Sequence, residues 1–137
     1  MTSNFHFASS EADLLKILPL LVELIGKSGA PLSTALQEIS SPNSLILIEE
    51  EEDGKVIGYL CGYPLNQREF YLSQAINKKS KVGRTFYKVY EDRVRAGGYQ
   101  RMFCHTILNP RVFERYGFKL ERYVLGKELT NDDKRDE

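Results

Sequence analysis

The segment that most restricts how this chain can fold runs from Glu69 to Ala96. A strand-like run, Glu69 to Ile76, passes through the basic loop Lys78-Lys79-Ser80-Lys81-Val82-Gly83-Arg84-Thr85 into a helix-like run, Thr85 to Ala96. Phe86, Val89, Tyr90 and Val94 recur at helical spacing, so that helix has one apolar face to bury. A strand running straight into a helix leaves the first helical N–H groups unpaired and aimed at the loop, where the positive end of the helix dipole favours an anion. Lys78, Lys79, Lys81 and Arg84 add cationic charge to that field. Gly83 is expected where the main chain approaches a ligand closely or takes a conformation that a side chain forbids. The junction therefore reads as a phosphate site; the alternative is a solvated basic turn.

At 137 residues the chain is expected to form one domain, residues 1–129, with a disordered tail at 130–137. Lys plus Arg number 19 and so do Asp plus Glu. That balance gives no support for a general nucleic-acid or membrane-surface binder, so any anion site must be local. Cys61 and Cys104 are the only cysteines, with no CxxC pair and no secretory signal, which points to a reduced, cytoplasmic protein. The apolar run Leu14 to Ile25 is interrupted by Lys16, Pro19 and Glu23 and is short for a membrane span, so it reads as a core helix.

The order of elements is mixed α/β. Asn4 to Ala8 reads as a short strand. Ser10 with Asp13 forms a capping box for a helix whose apolar residues are Leu14, Leu15, Ile17, Leu18, Leu21, Val22 and Ile25. Pro19 predicts a kink or break in it, and Gly26 or Gly29 its end. A second helix follows over Leu32 to Ile39. Ser44 to Glu50 and Lys55 to Tyr63 read as antiparallel strands around the Asp53-Gly54 turn. After the Glu69 strand and the Thr85 helix, Arg101 to Ile107 reads as a strand. Pro110 to Arg115 reads as a short helix closed by Gly117, and Leu120 to Leu129 as a last strand.

This order, the hairpin ending Gly58-Tyr59-Leu60, the basic loop, and the segment Asn109-Pro110-Arg111-Val112-Phe113-Glu114-Arg115-Tyr116-Gly117-Phe118 together resemble the GNAT N-acetyltransferases. The resemblance spans nearly the whole chain. It implies an α+β fold with a mixed sheet of six to seven strands flanked by about four helices, and acetyl-CoA as cofactor. In the family's loop pattern, Lys78 stands at the first position, Lys81 replaces the middle Gly, and Gly83 agrees. The resemblance implies that Lys78, Lys79, Ser80, Lys81, Val82, Gly83, Arg84 and Thr85 hold the pyrophosphate. Backbone near Gln74, Ala75 and Ile76 would polarise the thioester carbonyl, and Asn109 and Phe113 would lie along the coenzyme arm. Phe113 occupies the place of a Tyr that protonates the leaving thiolate in many members, and Tyr116, one turn on, is the substitute candidate.

The implied reaction is direct attack of a primary amine, from a small molecule or a protein, on the thioester. Glu69 resembles the glutamate base of the histone-acetylating branch; an exposed strand-end carboxylate is the alternative. His105 is the second base candidate, set against a structural histidine, and Cys104 lies on the opposite face of that strand from it. The rival function is a GNAT-fold module that binds CoA or a protein without efficient catalysis. No metal, nucleic acid or membrane is expected, and a homodimer is permitted through the last strands.

Overall fold

The turn at Asp53-Gly54 sets the geometry of the sheet. Gly54 takes φ 85°, a left-handed conformation that side chains disfavour, and the Lys55 N–H donates to the Asp53 carboxylate at 2.9 Å. In the computed structural model, which describes residues 3–28, 31–78, 83–104 and 116–119, this turn joins β2 (Leu45–Glu51) to β3 (Val56–Pro64). Before them come β1 (Ser3–Phe7), α1 (Glu11–Ser28) and α2 (Leu32–Ser40). After them come β4 (Glu69–Asn77), α3 (Arg84–Ala96) and β5 (Arg101–Cys104).

The sheet order is β1-β2-β3-β4-β5. The first three pairings are antiparallel and β4 with β5 is parallel. The parallel pair requires a crossover, which α3 supplies. One face of the sheet carries α1 and α2, whose Ile17, Leu20, Leu21, Ala35 and Ile39 share a core with Ile46, Ile48, Tyr59, Cys61 and Ile76. The other face carries α3. Phe86 packs on Phe5 with ring centroids 5.1 Å apart, and the Tyr90 hydroxyl donates to the Leu45 carbonyl at 2.8 Å.

Five strands and three helices are present among the described residues, against six to seven and about four expected. The expected helix Pro110 to Arg115, the strand Leu120 to Leu129, residues 105–107 of the expected fifth strand and the tail 130–137 lie outside those residues. The chain divides into two compact units, Met1–His105 and Thr106–Glu137. Within the second, Tyr116 is half-buried and Gly117 turns through φ 91°.

Two local expectations need correction. Pro19 does not break α1, which is continuous from Glu11 to Ser28. Pro19 is solvent-exposed, so the carbonyl it leaves unpaired by its missing N–H faces the water side of the helix. The apolar stripe is also narrower than expected: Ile17, Leu20 and Leu21 are buried, whereas Leu15 and Val22 are 60% and 53% exposed. At the start of α1, Ser10 Oγ accepts the Asp13 N–H at 3.3 Å, half of the expected capping box. The Asp13 carboxylate reaches one residue further back and accepts the Ser9 N–H at 2.9 Å. That bond, with His6 and Lys16 nearby, holds the Asp13 carboxyl below its usual range.

Candidate functional site

The register of β3 against β4 slips by one residue at a single place. Cys61 pairs with Gln74 and Gly62 with Leu72, which leaves Ser73 as the extra residue of a β-bulge, its hydroxyl donating to the Cys61 carbonyl at 3.1 Å. The slip reverses which way the strand's side chains point. Upstream, Phe70 lies against Tyr90 of α3. Downstream, the equally even-numbered Gln74 and Ile76 join α1 and α2. A regular strand would have put all of them on one face. Gly62 makes the bulge possible by closeness: a Cβ there would lie 2.5 Å from the Tyr71 carbonyl oxygen, 2.6 Å from the Phe70 ring and 2.7 Å from the Tyr90 hydroxyl.

The parallel pairing of β4 with β5 runs from Glu69 with Arg101 to Leu72 with Cys104. Among the described residues, Gln74 to Asn77 pair on the β3 side alone. Ala75 is exposed at this stretch.

Gln74 is buried at 6% exposure, and its amide is fixed from three directions. It accepts the Tyr59 hydroxyl at 2.5 Å and donates to the Ala35 carbonyl at 3.2 Å and to Glu38 Oε1 at 2.8 Å. The bonds satisfy a polar side chain that would otherwise be costly at this depth. Tyr63 and Tyr71, paired in register across β3 and β4, stand on the same face, ring centroids 5.5 Å apart and edge to face. Burial pushes the phenols of Tyr59, Tyr63 and Tyr71 up, and the Glu38 carboxylate adds to the shift in each. Burial likewise pushes the Cys61 thiol up to about 12, which makes it an inert core residue, and Cys104, half-buried, is raised by the same cause.

At the other end of β4, the Lys78 N–H donates to the Ile57 carbonyl at 2.8 Å, and the Lys78 ammonium lies 3.9 Å from Glu23 of α1. Lys78 is thus turned at least partly toward α1. Gly83 is the N-cap of α3, with no side-chain cap and no acidic residue in the first turn. Exposed Arg84 and Thr85 begin the helix, so its positive end is open to an anion. Gly83 departs from expectation. Its φ is −68° and nothing lies within 4 Å of a Cβ built there, so neither backbone conformation nor packing demands glycine.

Glu69 begins β4 in register with Arg101. Its carboxylate accepts the Asn66 side-chain amide at 2.8 Å, and its own N–H donates to Asn66 Oδ1 at 2.9 Å. It therefore closes the β3–β4 turn, about 16 Å of strand away from Gln74. Lys79, Ser80, Lys81, Val82, His105, Asn109 and Phe113 lie outside the described residues. Tyr116 belongs to the second compact unit. Sequence reasoning missed Ser73, Glu38, Tyr59, Tyr63 and Tyr71. Ser73 follows four strand-forming residues without any Gly or Pro to mark a bulge, and Glu38 sits in an ordinary amphipathic helix.

Among the described residues there is no cluster of potential metal ligands and no helix long and apolar enough to cross a membrane. No family model matches the chain, and no curated protein matches it in sequence. Solved structures do match. A ribosomal-protein-alanine N-acetyltransferase of Brucella melitensis biovar Abortus 2308 is similar at TM-score 0.68 and 12% identity, over 92% of this chain and all of that one, 100%. An acetyltransferase of Trypanosoma brucei is similar at TM-score 0.68 and 14% identity, over 93% and 100%. An aminoglycoside acetyltransferase from a soil metagenome, in complex with sisomicin, is similar at TM-score 0.66 and 12% identity, over 93% and 95%. The architecture is the GNAT acetyltransferase fold, and at these identities it is the fold that is shared.

Proposed function

We propose that the protein is an acetyl-CoA-dependent N-acetyltransferase acting on a primary amine. The observation that carries this reading is the β4–α3 junction, a strand bulged at Ser73 that leads to the uncapped positive end of α3. The fold shared with acetyltransferases supports it. In this reading the coenzyme's pyrophosphate meets the first N–H groups of α3, Gly83 to Thr85, with the loop 78–82 supplying cations. Gly83 leaves room for the phosphate oxygens. The pantetheine arm follows β4, and main-chain groups at Gln74, Ala75 and Ile76 polarise the thioester carbonyl. When bound, acetyl-CoA supplies the activated acyl group; the chain's own residues orient it and receive the amine. Asn109, Phe113 and Tyr116 retain the coenzyme-side and proton-donating roles that the family resemblance implies, and His105 stays a second base candidate.

The test is calorimetric titration with acetyl-CoA and with CoA, repeated on Gly83→Glu. The variant places a negative charge at the helix end in an empty volume, so the fold should be unaffected. Micromolar binding that the variant loses, followed by thiol release with a panel of primary amines, is the expected outcome. Binding without turnover would favour the rival reading, a CoA-binding module, which Phe113 in place of a proton-donating Tyr supports. Absence of heat in the unsubstituted protein would refute both coenzyme readings and leave a GNAT-fold module that binds a protein.

A further inference from the structure

The Glu38 carboxylate has features that the coenzyme reading leaves unexplained. It projects from α2 to Gln74, the first residue past the bulge, and is held there by the 2.8 Å bond from the Gln74 amide. Gln74 is itself locked by Tyr59 and the Ala35 carbonyl, so the carboxylate is fixed one side chain away from the main chain expected to polarise the thioester. Among the described residues, no Lys, Arg or His pairs with it: Lys16 goes to Glu50, Lys78 to Glu23, Lys88 to Asp92, and Arg95 to Glu91 and Asp92. A half-buried carboxylate without a counter-cation is available to a cation that arrives from outside. Tyr63 and Tyr71 stand half-buried on the same sheet face, and π faces of this kind attract ammonium groups.

We propose that Glu38 is the acceptor-side catalytic residue: its carboxylate docks the ammonium of a cationic primary amine on the α2 face of β4, beside Tyr63 and Tyr71, and takes its proton. This deepens the acetyltransferase reading and rests on it for the chemistry. Glu38 takes one proton from the ammonium, and the freed lone pair attacks the thioester carbonyl carbon. The C–N bond forms, the C–S bond breaks, and the proton lost from the new amide nitrogen ends on the departing CoA thiolate. The donor runs along β4 to the main chain of Gln74, and the amine reaches the same point from the α2 face, to which the Gln74 side chain points, so nitrogen and thioester carbonyl meet on one side of the strand. Glu69, engaged with Asn66 at the far end of β4, is left as a turn residue.

The experiment compares the unsubstituted protein with Glu38→Gln, Glu38→Asp and Glu69→Gln. Binding of 1,4-diaminobutane is titrated calorimetrically without coenzyme, binding of acetyl-CoA is titrated separately, and thiol release is followed with both present. Expected are unchanged acetyl-CoA affinity in all variants and loss of diaminobutane binding in Glu38→Gln. Thiol release should fall at least about 100-fold in that variant, as for loss of a general base, with partial rescue in Glu38→Asp and little change in Glu69→Gln. Glu38-dependent amine binding without acetyl-CoA binding would keep the ammonium site and remove the acetyltransferase reading. Diaminobutane binding or turnover indifferent to Glu38→Gln, or no diaminobutane binding to the unsubstituted protein, would overturn the proposal while leaving acetyl-CoA binding to decide the function.

Discussion

Replacing Tyr59 by Phe removes one oxygen atom from a fully buried side chain and isolates its effect. Tyr59 is 0% exposed and its hydroxyl donates to Gln74 Oε1 at 2.5 Å. The ring stays, so little packing is lost, and the replacement introduces no new contact. What changes is that Gln74 Oε1 keeps its depth but loses its donor. A net hydrogen bond contributes about 1 kcal/mol, and stranding its buried acceptor costs about 1–3 kcal/mol, so a loss of about 2 kcal/mol is expected. At a urea m-value of about 2 kcal/mol/M this moves the unfolding midpoint down by about 1 M with m unchanged. The same change loosens the amide that holds Glu38, so diaminobutane affinity should fall in parallel while acetyl-CoA affinity does not. Urea titration followed by tyrosine fluorescence measures the first effect and calorimetry the second. A stability loss under about 0.5 kcal/mol would refute the reasoning, because it would mean that Gln74 is neither buried nor dependent on Tyr59 for its partner.

Three further outcomes follow from the structure. Gly62→Ala puts a methyl group 2.5 Å from a backbone oxygen that cannot move without disturbing the bulge, and should lower stability by about 3 kcal/mol in thermal unfolding. Gly83→Ala, in open space at φ −68°, should stay within about 0.5 kcal/mol of the unsubstituted protein. The Asp13 carboxyl is held below its usual range, first by the Ser9 N–H, so its contribution to stability is complete above the unfolded value near about 4 and is lost as pH falls through the lower folded value. Asp13→Asn should therefore flatten the acid limb of a stability profile measured between about pH 5 and pH 2 and leave the limb above neutrality unchanged.

The element order was legible because it rests on local signals: the Asp53-Gly54 turn, the Ser10 cap and the helical spacing of Phe86, Tyr90 and Val94. The junction of β4 and α3 was legible for the same reason, since a strand followed by a loop and a helix declares its own open N–H groups. The surroundings of Gln74 were not. Alternation predicts one face for Phe70, Leu72, Gln74 and Ile76, and only the pairing of β4 with β3 shows that Ser73 is skipped. Glu38 and Gln74 are brought together across 36 residues by tertiary packing, a distance at which no pattern in a single sequence speaks. Pro19 misled for a related reason: its effect depends on which side of α1 meets water, and that is decided by the sheet.

The bulge at Ser73 has a practical meaning for anyone wishing to alter what this protein accepts. Position numbers along β4 cannot be counted by twos from one end. Tyr71 and Gln74, three apart, address the same compartment, whereas Leu72 and Gln74, two apart, address different ones. Varying Tyr63, Tyr71 and Glu38 changes side chains on the α2 face of the sheet, whereas varying Leu72 and Ala75 changes the α3 face.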